Sequence, residues 1–202
     1  MTSSYAVAVP AGTAIVVPVK AFDRAKERLA GVLGPTERAA LARRLATGVV
    51  MAALSSARPV LVVCDDEATE IWAAALGAEV LRQSSGGLDA AAMEARAHLQ
   101  GRIHLLAVVH ADLAHPKGLP ALLDRADLSP GATIVPDHRR DGTTVLVVPI
   151  DAPFGFAYGP GSFDRHRREA ERLGLGPVIV EDSLLAADVD VPEDLAALDG
   201  RD

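Results

Sequence analysis

Short apolar runs that each stop at a polar or charged group, separated by stretches of helical spacing, constrain this chain more than any other feature. Thr13 to Val19 ends at Lys20, Pro59 to Cys64 ends at Asp65-Asp66, and Ile103 to Val109 ends at His110-Ala111-Asp112. Strands buried on both faces of a parallel sheet read as runs of this kind rather than as an alternation of apolar and polar residues. Helical spacing fills the intervals, over Asp23 to Leu33, Pro35 to Ser56, a stretch ending at Leu76, Leu88 to Leu99 and Lys117 to Ala126. Half of the 202 residues are hydrophobic but only 3% are aromatic, so the core must be built from Ala, Val and Leu. The alternation is that of βαβ units, and the expected fold class is α/β.

The rest of the chain follows the same rhythm. A brief strand is expected around Ala78 to Leu81, and Gly86-Gly87 breaks the chain before the Ala-rich helix. Strands at Ala132 to Pro136 and Thr144 to Pro149 are joined by the charged turn Asp137-His138-Arg139-Arg140-Asp141-Gly142. A glycine loop, a helix to Leu173, a strand near Val178 to Val180 and a last helix after Asp190 complete the order. Ile103 to Val109 is the expected centre of the sheet. No linker divides the chain, which predicts one domain over residues 13–202 behind a flexible tail over residues 1–12. In open α/β sheets ligands collect beyond the C-terminal ends of the strands, where Lys20, Asp65, Asp112 and Asp188 are expected to stand.

Charge and cysteine content narrow the partners. A net charge of -7 argues against a sequence-independent nucleic-acid binder, which needs a basic face to displace counterions. The single cysteine, Cys64, excludes an internal disulfide and reads as a small core residue. No run reaches the length of a membrane span, and the start of the chain lacks the basic and apolar blocks of a signal peptide, so a cytoplasmic protein is expected.

Several residue groups carry chemistry. Gly159-Pro160-Gly161-Ser162 opens a helical pattern that includes His166, placing flexible backbone and a hydroxyl where free N–H groups and the helix dipole favour an anion. The same run is also an ordinary turn and cap. Asp188 and Asp190, spaced by two on an extended segment, point to one face and suit a hard divalent cation such as Mg²⁺. Asp190 with Glu193 also has the spacing of a capping box, which explains Asp190 but not Asp188. Asp112 follows an apolar strand, where a carboxylate is either solvated, paired or bound to metal. Lys20, Lys26 and Lys117 are the three lysines among twenty basic residues, and two of them share one loop. Compact ammonium charges suit polyphosphate oxygens; a solvated helix face with Glu27 opposing them is the alternative.

Taken in order, these motifs resemble one family. They are Val17-Pro18-Val19-Lys20 with Ala25-Lys26 and Arg28-Leu29, Gly86-Gly87-Leu88, Ala111-Asp112-Leu113, Gly142-Thr143-Thr144, Tyr158-Gly159-Pro160-Gly161-Ser162-Phe163 with His166, and Asp188-Val189-Asp190 with Pro192 and Asp194-Leu195. The chain is similar to the 2-phospho-L-lactate / phosphoenolpyruvate guanylyltransferases of deazaflavin coenzyme F-420 biosynthesis, over nearly its whole length after the tail.

The resemblance implies a nucleotidyltransferase fold of the glycosyltransferase-A or molybdopterin-guanylyltransferase kind, a Rossmann-like three-layer sandwich whose mainly parallel sheet carries one antiparallel strand. It implies transfer of GMP from GTP to the phosphate of a three-carbon acid, with release of pyrophosphate. Asp112, Asp188 and Asp190 would hold Mg²⁺, with Lys20 and Lys26 also catalytic. Lys20, Lys26, Arg28 and Asp89 would bind the nucleotide, and Thr144, Gly159 and Ser162 the phospho-acid. The implied partner is the transferase that joins the phospho-acid to the deazaflavin precursor. The chain departs from the family at Gly87-Leu88-Asp89, usually Gly-Leu-Asn, and at Asp112-Leu113-Ala114, usually Asp-Leu-Pro. An Asp for Asn near a nucleotide swaps a two-way amide for a charged acceptor, which bears on base preference. Other acceptors, 3-phosphoglycerate or a sugar phosphate, and a catalytically degenerate GTP-binding scaffold are the competing readings.

Overall fold

The computed structural model describes residues 11–198 apart from Ser85 and Pro130; residues 1–10 of the expected tail lie outside the described residues. Seven strands form one sheet in the order β3-β2-β1-β4-β6-β5-β7. They are β1 (Ala11–Val19), β2 (Val60–Cys64), β3 (Glu79–Arg82), β4 (Ile103–Val109), β5 (Thr133–Pro136), β6 (Thr143–Pro149) and β7 (Val178–Ile179). Only β6 runs against its neighbours, β4 and β5; the other pairs are parallel. β4 occupies the middle of the order, as its apolar sequence predicts. β1 begins at Ala11, so the last two residues assigned to a tail belong to the sheet.

Helices cover both faces. On one side α1 (Pro35–Leu54), α2 (Glu67–Leu76) and α4 (Leu119–Ala126) bury Val49, Val50, Trp72 and Leu122 against Ile15, Val17 and Val19 of β1. On the other, α3 (Leu88–Leu99) and α5 (Ser162–Arg172) bury Ala92, Ala95, Phe163 and Ala170 against Ala14 and Val16. Successive residues of β1 therefore feed opposite cores, which is why the strand is apolar throughout. Local signals set the helix ends: the Glu37 carboxylate takes the Gly34 N–H at 2.8 Å, and Asp66 caps α2 by accepting from the Thr69 N–H at 2.9 Å.

Three sequence expectations are corrected. Asp23 to Leu33 is not a helix but two 3-10 turns, Phe22–Arg24 and Glu27–Leu29, interrupted at Lys26, whose φ of 55° and ψ of 38° are left-handed. Asp188 and Asp190 do not lie on a sheet strand; Asp188 makes an isolated bridge to Leu113. The last helix is the 3-10 segment Pro192–Leu198, and its cap comes from Asp194, whose Oδ2 accepts from the N–H groups of Asp190 and Val191. Asp190 is thereby released from the capping role its spacing suggested.

Gly131 enters β5 so close to the following chain that a Cβ there would lie 1.7 Å from the Leu175 carbonyl oxygen. That oxygen accepts the Ala132 N–H at 3.1 Å, so the two backbones cannot separate without losing a bond. Gly131→Ala is expected to cost about 2–3 kcal/mol, read as a lower urea midpoint with an unchanged slope.

Candidate active site

The C-terminal ends of β1, β2 and β4 open into a cleft of about 690 Å³ that Lys20, Asp65, His110 and Asp112 help to line. Gly86 and Gly87, at the start of α3, form another wall. The loop after β1 crosses this cleft, and its left-handed residue turns Lys26 inward. Lys26 is only 7% exposed, with Nζ 2.6 Å from Asp112 Oδ2 and 3.1 Å from Asp190 Oδ1. A helix over this loop would have left Lys26 on a solvated face; the left-handed residue puts it among carboxylates. Burial alone would lower its pKa, but Asp112 and Asp190 offset this and hold it above the ordinary lysine value. Arg28 approaches Asp190 Oδ2 at 3.7 Å, and exposed Lys20 stands 4.0 Å from Glu27. All three predicted triphosphate-binding cations thus line one cleft.

Of the three predicted metal-binding carboxylates, Asp112 and Asp190 meet at Lys26 and Asp188 bridges Leu113, the residue after Asp112. Asp112 is kept ionised, below the usual carboxylate range, because Lys26 and His110 outweigh its burial. Asp188 behaves oppositely: burial, then the charges of Asp112, Asp190 and Asp137, push it up to about 7. Asp112 Oδ1 and Asp188 Oδ1 are buried without a hydrogen-bond partner. Among the described residues no three such side chains converge on one point as they stand. The Lys26 ammonium pairs with Asp112 Oδ2 and Asp190 Oδ1. Hard oxygen donors, two of them unsatisfied and mutually repelling, fit a divalent cation such as Mg²⁺.

The glycine loop lies beside this cluster, held by α5 and by the turn before β6. Asp137 accepts the N–H groups of Asp141 and Gly142 at 2.9 and 2.8 Å, and Asp141 Oδ1 accepts the Gly161 N–H at 2.9 Å. Gly159 and Gly161 have φ of 99° and 73°, where a side chain would be strained. Ser162 is buried as the first residue of α5. Thr144 is also buried, and its hydroxyl donates to the Val135 carbonyl at 3.2 Å. Neither Thr144, Gly159, Ser162 nor Asp188 lines the cleft itself. Asp89 does not line the cleft, and its Oδ1 accepts the Tyr158 N–H at 2.6 Å.

Spacing had no means of assigning two neighbouring side chains, His110 and His166. Burial lowers the pKa of His110, whose ring packs 5.5 Å from that of Tyr158. His166 Nε2 accepts the Ala157 N–H at 3.1 Å, so Nδ1 carries the proton and donates to Thr143 Oγ1 at 3.0 Å. Burial, then the charges of Arg165 and His110, lower its pKa to about 4. The unfolded chain takes up this proton near pH 6.5 and the folded chain does not until about pH 4, so stability is complete above 6.5 and is lost as pH falls through that window. The expected loss is on the order of 3 kcal/mol, measured as the difference in pH-dependent unfolding between the wild type and His166→Gln.

A mixed seven-stranded sheet between two helical layers, with a cleft at its strand ends lined by Lys20, Lys26 and Arg28, gives the chain the nucleotidyltransferase fold. The fold matches a nucleotidyl transferase from Methanothermobacter thermautotroptrophicus with a TM-score of 0.64, at 17% identity over 92% of this chain and 94% of that one. The chain belongs to the family described as Guanylyl transferase CofC like, which matches residues 13–199. It is 41% identical over 188 residues to the phosphoenolpyruvate guanylyltransferase of Rubrobacter xylanophilus, covering 91% of this chain and 92% of the relative. The 3-phospho-D-glycerate guanylyltransferase of Phenylobacterium zucineum is 33% identical, over 89% of this chain and 86% of its own.

Proposed function

We propose that this protein transfers GMP from GTP to the phosphate of phosphoenolpyruvate, or of a close three-carbon phospho-acid, in the Mg²⁺-dependent reaction that supplies coenzyme F-420 biosynthesis. The observation that carries this reading is the carboxylate cluster at the cleft, where Lys26 pairs with Asp112 and Asp190 while buried oxygens of Asp112 and of Asp188, just outside the cleft lining, stand unpaired. Mg²⁺ held by Asp112, Asp188 and Asp190 would supply positive charge against the phosphates where the two anions meet. Lys20 and Arg28 are placed to steady the triphosphate, and Lys26 would pass its charge from the carboxylates to a phosphate oxygen in the loaded site.

An oxygen of the acid's phosphate forms the new bond to the α-phosphorus of GTP. The bond to the α,β-bridging oxygen breaks, and its electron pair leaves with pyrophosphate. No side chain need remove a proton, since the attacking oxygen is already ionised; the chain's work is charge neutralisation and alignment. The glycine loop with Thr144 and Ser162 is the proposed seat of the acid. Asp89 acts there rather than on the base, because its carboxylate is spent on the Tyr158 N–H. The conjugate is expected to pass to the transferase that accepts it onto the deazaflavin precursor, and the use of GTP suits a cytoplasmic site.

Mg²⁺-dependent pyrophosphate release tests this, with GTP or ATP against phosphoenolpyruvate, 2-phospholactate and 3-phosphoglycerate. Release with GTP and phosphoenolpyruvate or 2-phospholactate is the expected result. Release with 3-phosphoglycerate instead would favour the acceptor named for the Phenylobacterium relative. No release with any acid, from protein shown to bind GTP, would overturn the reading.

A further inference from the structure

We propose that Arg165 is a positioning residue for the acceptor: by gathering the carbonyl groups of the glycine loop, its guanidinium turns the loop's N–H groups to the opposite side, toward the bound phospho-acid. The inference rests on the reading of this loop as the acceptor's seat. Arg165, in the first turn of α5, reaches back over the loop. Nε and Nη2 donate to the Ala157 carbonyl at 3.1 and 2.9 Å, and Nη1 donates to the Pro160 carbonyl at 2.6 Å. Nη2 also lies 3.3 Å from the Tyr158 oxygen and 3.4 Å from that of Gly159. Four consecutive carbonyls therefore share one planar cation.

A trans peptide points its C=O and the following N–H in opposite directions. Fixing the carbonyls of Ala157, Tyr158 and Pro160 therefore aims the N–H groups of Tyr158, Gly159 and Gly161 away from the guanidinium. The structure shows this outcome for two of them, each of which meets a carboxylate oxygen: Tyr158 donates to Asp89 at 2.6 Å and Gly161 to Asp141 at 2.9 Å. Gly159, between them, has no protein partner for its N–H among the described residues. One face of the loop is thus committed to a cation and the other already binds anionic oxygens, with one donor left for a ligand. His166 completes the grip by accepting the Ala157 N–H, so that this one residue, at the root of the loop, is held through both its N–H and its carbonyl.

Arg165 is exposed, so its hydrogen bonds compete with water and its main effect is expected on geometry rather than on stability. Steady-state pyrophosphate release is the test, run first on the wild type to establish turnover with one phospho-acid. Arg165→Ala is expected to raise the KM for that acid about tenfold, with kcat and the KM for GTP within about twofold and the melting temperature nearly unchanged. Arg165→Lys, with one compact ammonium in place of a fork, should fall between. An unchanged acid KM in Arg165→Ala, beside an active wild type, would overturn the inference, as would equal rises in both KM values. A wild type that uses no phospho-acid would instead overturn the functional reading on which it rests.

Discussion

Replacing Asp188 by Asn is expected to remove Mg²⁺-dependent turnover while raising the melting temperature, two changes that rarely come from one substitution. Asp188 is 8% exposed, and its Oδ1 has no hydrogen-bond partner; the ring nitrogen Nδ1 of His138 lies 3.7 Å from it. Burial and the charges of Asp112, Asp190 and Asp137 all oppose its ionisation. An amide of the same shape removes that repulsion and offers donors to the neighbouring carboxylates, so the fold should gain a few degrees of thermal stability. The same change removes a charge from the proposed metal site, with an expected loss of about 10²–10³ in kcat, the order found when one preorganised electrostatic contact is deleted. Thermal unfolding with and without Mg²⁺, beside pyrophosphate release, reads both effects. A stabilising shift by Mg²⁺ that survives in Asp188→Asn at full activity would remove Asp188 from the site.

Lys26→Ala is expected to be damaging in both respects. Lys26 Nζ is the partner of Asp112 Oδ2 and Asp190 Oδ1, and its loss leaves facing carboxylates without the charge between them. Breaking a buried pair costs about 3–5 kcal/mol, which falls to about 2–3 here because Asp190 is 40% exposed and screened by water. A second cause is separable. The left-handed backbone at Lys26 is one that glycine adopts freely, so Lys26→Gly should be about 1 kcal/mol more stable than Lys26→Ala. Both variants should lose turnover by about 10²–10³, because glycine restores the backbone but not the charge. Denaturant unfolding of the two variants separates backbone from side chain; recovery of activity in Lys26→Gly would show that the ammonium has no part in catalysis.

The strand ends were legible because a buried parallel strand has a strong local signature. Lys20, Asp65, Asp112 and the glycine pair Gly86-Gly87 all fell where the apolar runs stop or helical spacing begins, and the structure brings them to one cleft. The loop between β1 and α1 was not legible as drawn from spacing. Its residues have helical periodicity, but Lys26 is left-handed and its side chain is paired with Asp112 and Asp190, partners that are tertiary. Asp190 and Glu193 carried a plausible capping pattern, yet Asp194 performs the cap and leaves Asp190 facing Lys26. Asp89 was legible as a departure in a motif and illegible in its consequence, because its partner is the backbone of Tyr158, 69 residues away. Arg165 gave no signal at all, being one arginine among several on a charged helix.

Periodicity and run length, which are properties of neighbours along the chain, were enough to determine an α/β sheet, its central strand and the loops that would carry chemistry, and the ordered motifs pointed to the family. The tertiary structure alone decided which charges meet. Lys26 and Asp112 are 86 residues apart, and Lys26 and Asp190 are 164 apart. Sheet order and the dihedrals of one loop residue bring them within hydrogen-bonding distance. Electrostatic energy depends on separation and burial in space, neither of which is written in the spacing of residues along the chain.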